Sequence, residues 1–273
     1  MQVRVIQIVI FLVSVWALSY PFLYETTSSL TSAQRVQPKK PRAPKIVEKP
    51  LHNVQLPDFG SITDVKEKKQ RFFDFIKPHV IAENTKINQQ RASLEIALMM
   101  LQMGEALTEA QTKKLKNIFT YYRLDDELFS VASVQKALKH VDIIPRELAL
   151  MQAANESAWG TSRFARIGLN FFGQWCYKKG CGMVPRHRDN EAAHEVAAFQ
   201  SVRAAVQSYF RNINTHDAYR QLREKRAELR ASKLPIEATL LTQGLIAYSE
   251  RGDAYVEELN DMIRHNKDYF DEK

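Results

Sequence analysis

Hydrophobic positions follow three different patterns along this chain. From Val5 to Tyr24 the run "VIQIVIFLVSVWALSYPFLY" holds no charged residue and is long enough to span a bilayer if helical. Arg4 and the amino terminus are the only positive groups beside it, the pattern of an export signal over residues 1–24. Small Ala17 and Ser19 suit cleavage before Tyr20, while the continuation through Phe22 and Leu23 suits retention as a membrane anchor. Residues 25–57 lose the apolar pattern altogether. Five prolines between Pro38 and Pro57, with many Ser, Thr and Lys, cannot bury enough apolar area to offset ordering entropy. A basic, Pro-rich linker is expected there.

From Asp64 the period becomes helical. Val65, Phe72, Phe73, Phe75, Ile76, Val80, Ile87, Leu94, Ala97, Leu98 and Leu101 recur at spacings of three and four. Pro78 should break or kink this run, and Gly104 should close it. "TEAQ" at Thr108–Gln111 fits a capping box opening a helix to about Tyr122. Asp125 or Asp126 should open another, ending near His140. Residues 58–141 therefore form a helical N-terminal region, with Phe72, Phe73 and Phe75 as core anchors. Pro145 suits the first turn of a further helix. From there to about Ser157 the residues are mostly Leu, Met and Ala on every side, which marks a buried helix.

Charge narrows the function classes. The net charge is +8, of which the segment 31–50, with six positive residues and one negative, carries +5. A basic tether invites a nucleic-acid reading, but an export segment in front of it points to the cell envelope instead. No nucleic-acid partner is expected.

The candidate chemistry sits in "MQAANESAWGTSRFARIGLNFFGQW", Met151–Trp175. At 100° per residue Glu156 falls beside Ala149, Gln152 and Ala153, near the C-terminus of the buried helix. Burial and the negative end of the helix dipole both raise a carboxyl pKa, and a carboxyl still protonated near neutrality can serve as a general acid. A Glu that simply emerges into water is the plain alternative. Trp159, Phe171, Phe172, Trp175 and Tyr177, interleaved with glycines, favour the first reading, because aromatic faces suit sugar rings. Cys176 and Cys181 are the only cysteines, and in an exported protein such a pair reads as a disulfide. Zinc, with His187 and His194 nearby, is the competitor. "HEVAAF" is not a zincin motif, since Ala198 stands where a second histidine is needed.

These residues resemble the catalytic segment of the glucosaminidase family of peptidoglycan hydrolases, within the lysozyme-like superfamily. The matching positions are Glu156, Ser157, Trp159, Gly160, Ser162, Asn170, Phe172 and Gly173. The likeness continues through "FQSVRAAVQSYFRNINTHDAYRQLR" and "LIAYSERGDAYVEELNDMIRHN", over about residues 142–271. The whole chain also looks like the Bax-type envelope proteins of Gram-negative bacteria, a branch of that family. The resemblance implies a mainly α, lysozyme-like helical domain over 142–273 with a small β-hairpin lobe across the cleft. It implies Glu156 as catalytic acid and cleavage of the β-1,4 bond after N-acetylglucosamine, in an exported, periplasmic protein that is soluble or anchored. Its substrate would be peptidoglycan glycan strands, with no cofactor and no metal.

The resemblance also implies a second carboxylate on the hairpin lobe some 35 to 40 positions on, and Glu191 and Glu195, with Asp189 just short of that range, are the candidates; Glu191 is favoured slightly over Glu195. A substrate-assisted route would require neither. Tyr248 matches a tyrosine lining the family's cleft. Trp159, Asn170, Phe171, Phe172, Gly173, Trp175 and Tyr209 are the expected substrate contacts. A muramidase, a lytic transglycosylase of the same superfamily and a non-catalytic wall-binding module stay open as alternatives.

Overall fold

The computed structural model describes residues 48–125, 128–185, 194–246 and 251–270. It is mainly helical with one small antiparallel sheet, the lysozyme-like helical architecture that the resemblance implies. Helix α1 spans Val65–Gln102. Asp64 caps it by accepting from the Glu67 N–H at 2.7 Å. The helix runs through Pro78 without ending, contrary to the break that proline suggests. Buried Phe72, Phe73 and Ile76 before it and Val80 and Ile87 after it hold both halves onto one core, which offsets the missing backbone bond. At its end the chain turns at Gly104, with φ +76°.

Helix α2, Glu109–Tyr121, opens on the expected reciprocal box of Thr108 and Gln111. Helix α3, Val131–His140, starts later than the aspartates suggested. Ser130 and Ser133 bond each other's backbone N–H reciprocally and set the start there. Helix α4, Arg146–Glu156, is buried from Leu148 to Ala154 on all sides, as its composition requires. It packs against α1 and against two later helices, α8 (Ala238–Leu241) and α9 (Asp253–His265). Between these lie α5 (Arg163–Gly168), α6 (Val202–Thr215) and α7 (Arg220–Ala231).

The expected small β lobe is a three-stranded antiparallel sheet. Strand β3 (Glu195–Ala197) lies between β1 (Trp175–Cys176) and β2 (Gly182–Met183). Val196 pairs with both Trp175 and Met183.

Residues Glu48–Lys273 form one unit, and the packing draws no boundary at 141–142. Asn84 of α1 donates to the Ile144 carbonyl at 2.8 Å and accepts from the Ile144 N–H at 3.1 Å. Asp142 meets three arginines of other helices: Arg91 at 3.1 Å, Arg230 at 2.7 Å and the fully buried Arg226 at 3.9 Å. The expected linker is docked before it ends, since Leu51 N–H donates to the Ile167 carbonyl at 2.8 Å. Phe59 is buried edge-on against Phe72 and Phe75. Among the described residues no helix is long and apolar enough to cross a membrane. The apolar run over 1–24 lies outside them.

Candidate active site

Helix α4 ends at Glu156 in an unusual way. The Ser157 hydroxyl donates back to the Ala153 carbonyl at 2.6 Å and accepts from the Gly160 N–H at 2.9 Å. Ala158, Trp159 and Gly160 then follow in the left-handed region, at φ 49°, 56° and 76°. Two non-glycine residues there store strain, so something must hold them. Trp159 is the clamp: its ring packs edge-on to Phe72 and Phe73 of α1, at 5.7 and 5.5 Å. Gly160 permits the fit, because a Cβ on it would lie 2.5 Å from the Phe59 ring. Ser162 then caps α5. The family-like run from Ser157 to Ser162 is thus the mount that fixes where Glu156 points.

A second mount lies across from it. The Asn170 side chain donates to the Gln174 and Ala197 carbonyls at 2.7 and 2.9 Å and accepts from the Phe172 and Gln174 N–H groups. All of its bonding capacity is used to fold the loop 170–174 and tie it to β3. That loop brings Gly173, at φ +62°, directly over the acid. A Cβ on Gly173 would sit 2.9 Å from Glu156 Oε2.

Glu156 lies on a cleft of about 860 Å³, lined also by Phe172, Gly173, Trp175, Tyr177, Tyr209 and Tyr255. Burial pushes its carboxyl pKa up. Among the described residues no hydrogen-bond donor or cation meets that carboxyl. Phe172 and Tyr209 stack at 4.0 Å to form the apolar wall. Buried Gln152, one helical turn before Glu156, accepts from the Tyr209 hydroxyl and donates to the Tyr255 hydroxyl at 3.2 Å. Trp175 is half exposed on the lobe side, its ring 3.7 Å from that of His194.

The expected site residues therefore separate. Glu156, Phe172, Gly173, Trp175 and Tyr209 come together on the cleft. Trp159, Asn170 and Phe171 belong to the scaffold instead: Phe171 is fully buried against Phe72 and Phe75, and Trp159 borders a different groove with Lys69 and Met262. Cys176 and Cys181 are bonded, with Cα atoms 6.2 Å apart. Glu195 is buried beneath that loop and accepts from the Gly180 and Gly182 N–H groups, each at 2.9 Å. The two sulfurs and this carboxylate lie within 4.8 Å of one another. With the sulfurs bonded to each other, they form a braced loop. Glu191 and Tyr248 lie outside the described residues.

The sequence reading missed Gln152, Tyr255, Arg123 and Arg211. Gln152 was legible as an amide set within the apolar run Leu148–Ala154, one turn from the acid. Arg123 was not, because only the tertiary fold carries the end of α2 to this cleft.

Comparison with known proteins agrees with this geometry. A glucosaminidase family model, described as mannosyl-glycoprotein endo-beta-N-acetylglucosaminidase, matches residues 131–268. Protein bax of Escherichia coli (strain K12) is 30% identical over 217 residues, which cover 78% of this chain and 74% of that protein. No solved structure gives a significant match. The matched region contains α4 and most of the cleft-lining residues, and on these grounds the chain belongs to the glucosaminidase family, in its Bax-type branch.

Proposed function

We propose that this protein is a cell-envelope peptidoglycan hydrolase that cleaves the β-1,4 bond after N-acetylglucosamine, with Glu156 as general acid. The observation that carries the proposal is the Glu156 carboxyl itself. It is fixed at a rigid helix end, desolvated, and met by no donor or cation among the described residues. Such a group stays protonated closer to neutral pH and has its proton available for a glycosidic oxygen. As that proton transfers, the bond from the anomeric carbon to the oxygen breaks and the muramyl side leaves. Trp175 and Tyr177, the exposed aromatics of the cleft lining, offer the faces on which a sugar ring rests.

The anomeric carbon then takes the hydroxyl of a water, and a second group either draws off that water's proton or holds the carbon until the water replaces it. In this proposal that group is Glu191, and Tyr248, which matches a tyrosine of the family, acts with it. Glu195 is left out, because two backbone N–H groups occupy its carboxylate under the disulfide loop. The apolar N-terminal run supports export, and the family match supports a glycan substrate.

Incubation with purified sacculi followed by mass spectrometry of the new ends tests the proposal. New reducing N-acetylglucosamine ends are expected. Reducing N-acetylmuramic ends would identify a muramidase, and anhydro ends a lytic transglycosylase. No release at all would leave a wall-binding module.

A further inference from the structure

The cleft carries positive charge that breaking a neutral sugar bond does not require. Arg123, Arg211 and Arg251 line it, and Glu156 is the sole carboxyl among its described lining residues. Arg251 is paired with Glu258 at 2.7 Å. Arg123 and Arg211 differ: among the described residues neither guanidinium has an ion pair or a hydrogen bond. The Arg211 guanidinium stacks 5.1 Å from the centre of the Tyr121 ring, and its Nε is buried without a hydrogen-bond partner. Tyr121 is the last residue of α2, and Arg123 follows in the turn that ends it, at φ 57°. The turn after α2 and helix α6 thus each bring to the cleft a guanidinium with no ion pair among the described residues. Like charges placed together in a partly desolvated groove repel until an anion joins them. The anion whose planar geometry a guanidinium matches best is a carboxylate or a phosphate.

Building on the peptidoglycan reading above, we infer that Arg123 and Arg211 form a subsite for carboxylates carried by the glycan strand, those of its peptide stems. A neutral N-acetylglucosamine polymer offers nothing to this pair. A stem-bearing strand offers a carboxylate beside the bond to be cut. The subsite would therefore select peptide-substituted strands over bare ones.

The test is a binding titration of the full-length protein in a Glu156→Gln background, which suppresses turnover, at low ionic strength. Three ligands are compared: soluble uncross-linked strands with stems, the same strands with carboxyls converted to neutral amides, and strands stripped of stems by an amidase. Amidation is expected to weaken binding about tenfold, as loss of a charge-assisted contact in a half-open cleft does. Adding Arg123→Gln and Arg211→Gln should weaken binding to stem-bearing strands by a similar factor and leave amidated strands unchanged. Arg123→Gln alone, at an exposed residue, gives the same sign if the double change harms folding.

Stripped strands that bind like amidated ones assign the carboxylates to the stems. Stripped strands that bind like intact ones assign them to the lactyl group and overturn the stem assignment. An amidation effect of nil, or equal weakening of all three ligands in the arginine variants, overturns the subsite. Since the readout is binding, a protein that releases nothing from sacculi yet keeps this preference would overturn the hydrolase reading alone.

Discussion

Asp142, just ahead of α4, and Glu156, its last residue, are two carboxyls that the fold withdraws from water and treats in opposite ways. At Asp142 burial pushes the pKa up, but the hydrogen bonds of Arg230 and the charges of Arg226 and Arg91 prevail and hold the carboxyl below its ordinary value. At Glu156 burial acts with nothing against it among the described residues, and the carboxyl rises. One acid is ionised and spent on tying α1, α4 and α7 together. The other makes no such bond among the described residues and faces a cleft. Burial alone does not single out a candidate acid; burial without a partner, beside open space, does.

The largest effect expected from breaking this contrast is on activity. Glu156→Gln keeps the shape of the side chain and removes its proton. Turnover on sacculi should fall by about 10²–10⁴-fold, the usual contribution of a general acid. The melting temperature should not fall, because the charge removed was one the fold disfavoured. Wild-type activity should also decline as pH rises through the raised Glu156 pKa, since the acid then enters the reaction without its proton. A variant that stays folded and turns over at the wild-type rate would remove Glu156 from the chemistry.

Asp142→Asn should do the reverse, damaging stability and sparing the chemical step. It leaves the fully buried Arg226, whose own pKa burial already lowers to about 10, without its counter-charge. Breaking a buried pair in this way costs about 3–5 kcal/mol, readable as a drop in denaturant midpoint. The wild type carries the matching pH signature. A carboxyl whose folded pKa is lowered stabilises the fold above its unfolded value, and that stability is lost as pH falls through the folded one. Acid unfolding should therefore strengthen below pH of about 4, and the Asn variant should lack this component.

The same contrast explains what the sequence could convey. Helices α2 and α4 were legible from a capping box and an all-round apolar run, because those signals are local. Glu156 was legible because the helix period placed it over small residues. The roles of Trp159, Asn170 and Phe171 were not: an aromatic beside an acid looks the same in sequence whether it faces sugar or α1. The Asp142 cluster was invisible for a related reason, since its arginines come from residues 91, 226 and 230 and meet only in the folded chain. Pro78 misled because tertiary packing on both sides outweighed a local defect.

Gly173 couples the loop to the acid and gives the next effect. Gly173→Ala places a side chain at φ +62°, which costs about 1–2 kcal/mol. Its methyl group would also press on Glu156 Oε2. The acid must rotate away or the loop must lift, so kcat should fall by about tenfold or more while the stability loss stays modest. If kcat is retained, the acid does not work from the position it occupies under Gly173.

The smallest effect is expected at the lobe, where the disulfide and Glu195 hold one loop twice. Closing so short a loop is worth about 2 kcal/mol in the chain-entropy model. Glu195 already grips the same turn through the Gly180 and Gly182 N–H groups, so Cys176→Ser with Cys181→Ser should cost less than that. Glu195→Gln alone should cost little for the same reason, because the bonded cysteines keep the turn closed. Combining all three changes removes both braces, and the loss should exceed the sum of the separate ones, the mark of two supports sharing one element. Thermal unfolding of the three variants measures this cycle. Activity adds a sharper cut. If Glu195 only braces the loop, Glu195→Gln keeps most of the turnover that Glu156→Gln destroys. Turnover lost to the degree seen in Glu156→Gln, with the melting temperature unchanged, would make Glu195 the second catalytic group and return the role that its two backbone hydrogen bonds deny it.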